Sequence, residues 1–208
     1  MISTSKKFLF VHIPKTGGNS IRLVLAPHTV EEITFNESQE AFNQAQGEIH
    51  RFGIKNPHMD IKKHSTAEEL RDKWDATQLG NWEDYFKFSI IRNPWERLVS
   101  YYFSPHLGRT EFDRDEFYEF LQSDIGRRQQ TDYLLANKQL LMDKLIRYEN
   151  LEQEFDNFCN QYSIEATIKE TNQSTHRPYA EYYDERSLEL VERFHGEDLA
   201  FLNYTFGD

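Results

Sequence analysis

The sequence predicts an α/β fold in three layers, with a central, mostly parallel sheet flanked by helices. Three observations predict it. The apolar run Phe8 to Ile13 breaks into Pro14-Lys15-Thr16-Gly17-Gly18 and then into helical spacing. The run Tyr85 to Ile91 breaks into Arg92-Asn93-Pro94 and a second helical pattern, and Lys144 to Tyr148 leads into a third. Strands that alternate with helices imply parallel pairing, because each crossover helix returns the chain to the end of the sheet where the previous strand began. Ligands then collect at the carboxyl ends of the strands.

Each element has a local reason. Phe8 to Ile13 is apolar at every position but His12, the pattern of a central strand buried on both faces, and His12 is expected to pack there. Ile21, Val24 and Leu25 then recur at helical spacing until Pro27 ends the helix. Tyr85 to Ile91 repeats the strand pattern, and Trp95, Leu98, Val99, Tyr102 and Phe103 mark one face of the helix behind it. Asn93 suits the N-cap, Pro94 suits the first helical position, and Glu96 completes a capping-box pattern. The third helix runs from about Asn150 to Tyr162. Residues 28 to 60 are polar with weak periodicity, and residues 104 to 143 read as largely helical; both segments are expected to cover the sheet edge and shape the substrate side.

The 208 residues suit one domain, 1-208, with a substantial core, and 16 Phe, 11 Tyr and 3 Trp put much of that core in aromatic side chains. No apolar run approaches the roughly 20 residues that cross a bilayer, so no membrane span is expected. One cysteine, Cys159, excludes an internal disulfide and a cysteine-based zinc cluster, and a reducing compartment, the cytoplasm, is the simplest setting. A net charge of -11 argues against nucleic acid as a partner. The distribution is more telling, since no Asp or Glu precedes Glu31 while Lys6, Lys7, Lys15 and Arg22 all do. The first strand, loop and helix are thus cationic in an acidic protein, as a small polyanion requires.

The loop after the first strand is P-loop-like, with its lysine before the glycines. The Walker A order GxxxxGK[ST] places the lysine after them, and the chain has no Gly-Lys pair. Gly17 and Gly18 let the backbone approach an anion closely, the helix behind them adds its positive end, Lys15 adds a full charge, and Thr16, Asn19 and Ser20 add neutral donors. A plain Gly-Gly turn with an incidental lysine is the alternative. Arg92 leaves the second strand with a planar fork suited to phosphate, and Ser100 lies eight residues on, about two helical turns away. Here the alternative is a well-capped core helix with a surface arginine. Together the two strand exits suggest a ligand with two separated phosphate-like groups.

VHIPKTGGNSIR followed by FKFSIIRNPWERLVSYYF resembles the paired nucleotide signatures of sulfotransferases, especially the carbohydrate-type family 2. The later ENLEQEF and the C-terminal HRPYAEYYDERSLELVERFHGEDLAFLNYTF resemble the same family, so the likeness spans nearly the whole chain. The resemblance implies 3′-phosphoadenosine 5′-phosphosulfate (PAPS) as cosubstrate, with no metal required. It implies that Lys15 contacts the sulfuryl and bridging oxygens, that Thr16, Gly17, Gly18, Asn19 and Ser20 surround the 5′-phosphate, and that Arg92 and Ser100 hold the 3′-phosphate. Some relatives also contact the nucleotide from a late loop, for which Asn172 and Ser174 are the matching positions; His176 beside them could serve nucleotide or acceptor.

Sulfuryl transfer needs an in-line nucleophile, charge stabilisation and a base for the acceptor's proton. His64, in the family-like KHSTAEEL, is the preferred base, and Glu149 at the end of the third strand is its rival. The expected reaction moves a sulfuryl group to a hydroxyl on an acceptor, with a sugar suggested by the resemblance. A nucleotide-dependent kinase and a noncatalytic nucleotide-binding module of the same fold are the alternatives. The sequence is silent on oligomeric state.

Overall fold

A computed structural model describes residues 1–46, 52–105, 107–165 and 177–207. In chain order the elements are β1 (Ile2–Ser3), β2 (Phe8–Val11), α1 (Gly18–Leu25), β3 (Glu32–Thr34), α2 (Glu37–Gln46), β4 (Gly53–Lys55), α3 (Ala67–Trp74) and β5 (Phe86–Ile91). They continue with α4 (Pro94–Tyr102), α5 (Arg114–Gln122), α6 (Asp124–Arg127), α7 (Thr131–Leu134), β6 (Leu135–Ala136), β7 (Gln139–Leu140), β8 (Lys144–Arg147), α8 (Leu151–Gln161) and α9 (Glu185–Leu202). The chain folds as two compact units, one from the described residues of Met1–Ile90 and Tyr133–Asn172, the other from those of Ile91–Asp132 and Gln173–Asp208.

The first unit carries the mostly parallel sheet, in the order β1-β2-β5-β8. β2 and β5 pair in parallel with Phe8 beside Phe86 and Val11 beside Ser89, whereas the edge strand β1 is antiparallel to β2. Phe8, Phe10, Phe88, Ile90 and Ile146 point to one face and meet Ile21 and Leu25 of α1 and Leu151, Phe155 and Phe158 of α8. The Phe88 and Phe158 rings lie 4.3 Å apart, so the layers interlock through aromatic contacts. Leu9, Val11 and Ser89 turn the other way and are equally buried, which explains why these strands read as continuous rather than alternating apolar runs. Ser89 resolves its burial by donating its hydroxyl to the Val11 carbonyl at 2.7 Å.

Helix ends follow the sequence closely. Thr66 caps α3 in a reciprocal box with Glu69, and Pro27 sits in a 3-10 turn that ends the first helix. The segment 104 to 143 departs from its helical reading at its end: Leu135 and Ala136 pair with Leu140 and Gln139 in a small hairpin. Asn137 and Lys138 turn it with positive φ values of 49° and 64°, a tight two-residue loop that helical periodicity could not reveal. The polar 28 to 60 segment contains a hairpin as well, β3 against β4.

The second unit is helical. Asn93 caps α4 by accepting the Trp95 and Glu96 amides, with Pro94 at the first position. Phe206 packs on Trp95, Tyr179 and Tyr183, and Tyr102 meets Phe112, Phe117 and Phe120, so aromatic rings again supply the core.

Candidate active site

The loop after β2 is shaped by two left-handed residues, Lys15 at φ 68° and Gly17 at φ 84°. Such backbone turns successive N–H groups toward one side, the geometry of an anion nest. Gly17 is also the N-cap of α1, so the positive end of that helix adds to the loop. The second glycine has a different reason. A Cβ on Gly18 would meet the His12 ring at 2.3 Å, so the close packing of helix on strand permits glycine alone. Thr16, fully buried, donates its hydroxyl to the Ile13 carbonyl at 3.0 Å and closes the loop from within. Asn19 and Ser20 occupy the first turn of α1, half-buried, and Lys15 is half-buried above them in sequence.

His64 stands in a short turn before α3. Ser65 builds that turn, its hydroxyl accepting the Lys62 amide at 3.0 Å and its amide reaching the Lys62 carbonyl at 3.0 Å. The turn places the His64 ring 4.6 Å from the His12 ring, and His64 Nδ1 lies 2.8 Å from the His12 carbonyl oxygen. A carbonyl can only accept, so Nδ1 carries a proton, and in the neutral form of the ring the basic lone pair lies on Nε2. Burial, then the nearby His64 and Lys63, hold His12 itself well below the usual imidazole range. His12 is thus a neutral packing residue, as its strand position predicts.

Lys63 and Arg22 belong to the same neighbourhood; the sequence marked Arg22 only as one cation of the opening segment and gave Lys63 no role. Lys63 Nζ donates to Asn19 Oδ1 at 3.1 Å and lies 3.7 Å from the Phe52 ring centre. The Arg22 guanidinium lies 4.3 Å from the same ring, and the residue is 3% exposed. Burial, Arg22 and Lys15 push the Lys63 ammonium down to about 7. One signal was available: Arg22 is a charged residue on the buried Ile21 and Leu25 side of a short helix.

In the helical unit, Arg92 is 6% exposed and Ser100 3% exposed. Glu96, expected to complete the cap, instead offers its carboxylate to Arg92 Nε at 3.1 Å. The Arg92 backbone is held by Gln130, whose side-chain oxygen accepts the Arg92 N–H at 2.9 Å and whose amide donates to the Arg92 carbonyl at 2.8 Å. Asp198 in turn accepts the Gln130 amide at 2.7 Å and the Thr131 amide at 2.8 Å. Burial alone would raise the Asp198 carboxyl; His195, the two amides and Arg97 outweigh it and hold the group below its usual range. Nothing in the sequence marked Gln130 or Asp198.

Glu149, the rival base, is exposed in the 3-10 turn that follows β8. Asn172, Ser174 and His176 lie outside the described residues.

A glycine-bearing strand-loop-helix at the end of a parallel strand, with a lysine in the loop and a histidine beside it, defines an enzyme that handles phosphate-like groups. The family model described as "Sulfotransferase family" matches residues 1–205, and the chain belongs to that family. It is a PAPS-dependent sulfotransferase that transfers a sulfuryl group to an acceptor hydroxyl. Among solved structures it is similar to mouse sulfotransferase SULT7A1 complexed with PAP, at 14% identity over 95% of this chain and 85% of that one, with a TM-score of 0.49. No curated protein matches it. No helix among the described residues is long and apolar enough to cross a membrane.

Proposed function

We propose that Lys15 and the backbone of Thr16 to Ser20 receive the 5′-phosphosulfate of PAPS, that Arg92 and Ser100 receive its 3′-phosphate, and that His64 takes the acceptor's proton. The observation that carries the reading is the loop itself. Left-handed backbone at Lys15 and Gly17 and the helix end at Gly18 make a backbone surface that an anion can approach closely, and the tight packing of Gly18 on His12 holds that helix end in place. PAPS supplies the activated sulfuryl group. Lys15 lies where a full positive charge can stabilise negative charge as it develops, and His64 Nε2 can accept a proton because Nδ1 is occupied by the His12 carbonyl. The Glu96 carboxylate steadies the Arg92 fork in the absence of phosphate.

Ser174 keeps its proposed nucleotide role on the resemblance alone. The single family model over residues 1–205 supports reading 1-208 as one sulfotransferase domain. A sugar hydroxyl is the proposed acceptor, on the likeness to carbohydrate sulfotransferases, and the cytoplasm the proposed location, on the lone buried Cys159. Titration calorimetry with adenosine 3′,5′-bisphosphate, adenosine 5′-phosphate and ATP tests the nucleotide assignment. The bisphosphate should bind most tightly, and equal affinity for all three would sink the 3′-phosphate assignment. A screen of labelled PAPS against glycans, phenols, lipids and peptides tests the acceptor class.

A further inference from the structure

We infer that Lys63 and Arg22, gathered on the Phe52 ring beside Asn19, form a second oxyanion-binding element, and that its ligand is the sulfuryl-bearing end of the donor. The inference rests on the reading that the loop and the first turn of α1 hold the 5′ end of PAPS.

Four observations lead to it. Lys63 is tied to the first turn of α1 by its 3.1 Å bond to Asn19, the turn that begins at the anion loop. Arg22 shares the Phe52 ring with it, so two cations crowd one aromatic side chain. Arg22 is 3% exposed, and among the described residues its Nε has no hydrogen-bond partner. Among the described residues, the charges that act on Lys63 are those of Arg22 and Lys15, both positive.

A ring face attracts a cation but cannot accept the several N–H groups of a guanidinium. A buried N–H without an acceptor, such as Arg22 Nε, is costly, and an oxyanion is a group that can relieve it while taking donors from both side chains at once. The cluster thus offers a buried guanidinium and an amine that takes its full charge when a ligand brings the negative charge. With the Lys63 ammonium lowered to about 7 by burial and by Arg22 and Lys15, an arriving oxyanion raises it again, so donor binding near neutral pH takes up a proton at Nζ. Among the described residues, His12, His64, Lys15 and the N-terminal amine also act in this neighbourhood, and His12 is held neutral. A carboxylate or sulfate on the acceptor would share this chemistry, and the experiment separates the two sources.

The test is calorimetry of the full chain at pH 7.5 with PAPS and with adenosine 3′,5′-bisphosphate, in two buffers of different ionisation enthalpy. Wild type should take up protons on binding PAPS and fewer on binding the bisphosphate. Lys63→Met should bind PAPS about tenfold more weakly, lose less affinity for the bisphosphate, and show no proton uptake. Lys63→Arg should restore affinity without the uptake, which separates charge from folding. Unchanged PAPS affinity and proton uptake in Lys63→Met would overturn the inference. So would a defect confined to the KM for an acidic acceptor, which would assign the element to the acceptor instead. A wild type that binds the bisphosphate no better than ATP would bring down the underlying nucleotide reading, a result visible without any variant.

Discussion

Gln130 grips Arg92 at both of its backbone groups, accepting the N–H at 2.9 Å and donating to the carbonyl at 2.8 Å through one fully buried side-chain amide. The arginine that leaves β5 is therefore aimed by a residue 38 positions further along the chain. Gln130→Leu would leave both backbone groups buried without these partners, at a cost on the order of 1 to 3 kcal/mol for each. Urea unfolding should show that loss. A role in aiming Arg92 predicts something more: the preference for adenosine 3′,5′-bisphosphate over adenosine 5′-phosphate should fall by about tenfold, where general destabilisation would weaken both ligands alike.

Lys15 and Arg92 should separate kinetically. Lys15→Ala is expected to reduce kcat by roughly 10²- to 10³-fold, the scale of losing one stabiliser of transition-state charge, with a smaller effect on nucleotide affinity. Arg92→Ala should chiefly weaken nucleotide binding. Steady-state kinetics combined with equilibrium binding of the bisphosphate checks both.

His64 offers a sharper test because its two nitrogens have separate tasks. Asparagine can donate from its side-chain amide to the His12 carbonyl, as Nδ1 does, but it offers no basic nitrogen. His64→Asn should therefore keep thermal stability near that of wild type while kcat falls by roughly 10²- to 10⁴-fold. An unchanged rate in either His64→Asn or His64→Ala would remove the residue from the mechanism.

Gly18→Ala tests the packing that holds the start of α1, and with it the anion loop, against β2. The added Cβ would sit 2.3 Å from His12 Cδ2 and Nε2, so either the ring moves or α1 lifts from β2. Overpacking of this kind costs about 1 to 3 kcal/mol. A fall in Tm together with weakened bisphosphate binding is expected, and retained affinity at full stability would contradict the model of the site.

Folding stability should carry the signature of the cationic cluster. The Lys63 ammonium is lowered from 10.5 to about 7, so between those values the unfolded chain binds more protons than the folded one. Lys63 therefore contributes a rise in stability as pH increases from about 7 to about 10.5, and Lys63→Met should flatten that part of the profile. His12, held well below its usual range by burial, acts with the same sign at lower pH, and its contribution is lost as pH falls below the ordinary imidazole range. Chemical denaturation across pH, without nucleotide, measures both.

Much of the fold was legible because its signals are local. The apolar runs at Phe8 and Tyr85, the Lys144 to Tyr148 segment ahead of a helical pattern, the glycines after Lys15, Pro27 after the first helix, and Asn93-Pro94 at the start of α4 are all local, and the structure places β2, β5, β8, α1 and α4 where they direct. The Leu135 to Leu140 hairpin was missed because two-residue strands carry too little periodicity to compete with the helical pattern around them.

The sequence alone determined the strand-loop-helix at Lys15 and the capped helix behind Arg92, each written in neighbouring residues, and the sulfotransferase resemblance, which rests on the order of such segments along the chain. Only the tertiary structure decided which nitrogen of His64 carries its proton, that Lys63 and Arg22 meet on Phe52, and that Gln130 and Asp198 hold Arg92 from the far side of the sequence. Hydrogen bonds and charge interactions depend on distance in space. Partners separated by tens of residues leave no trace in the spacing of either one.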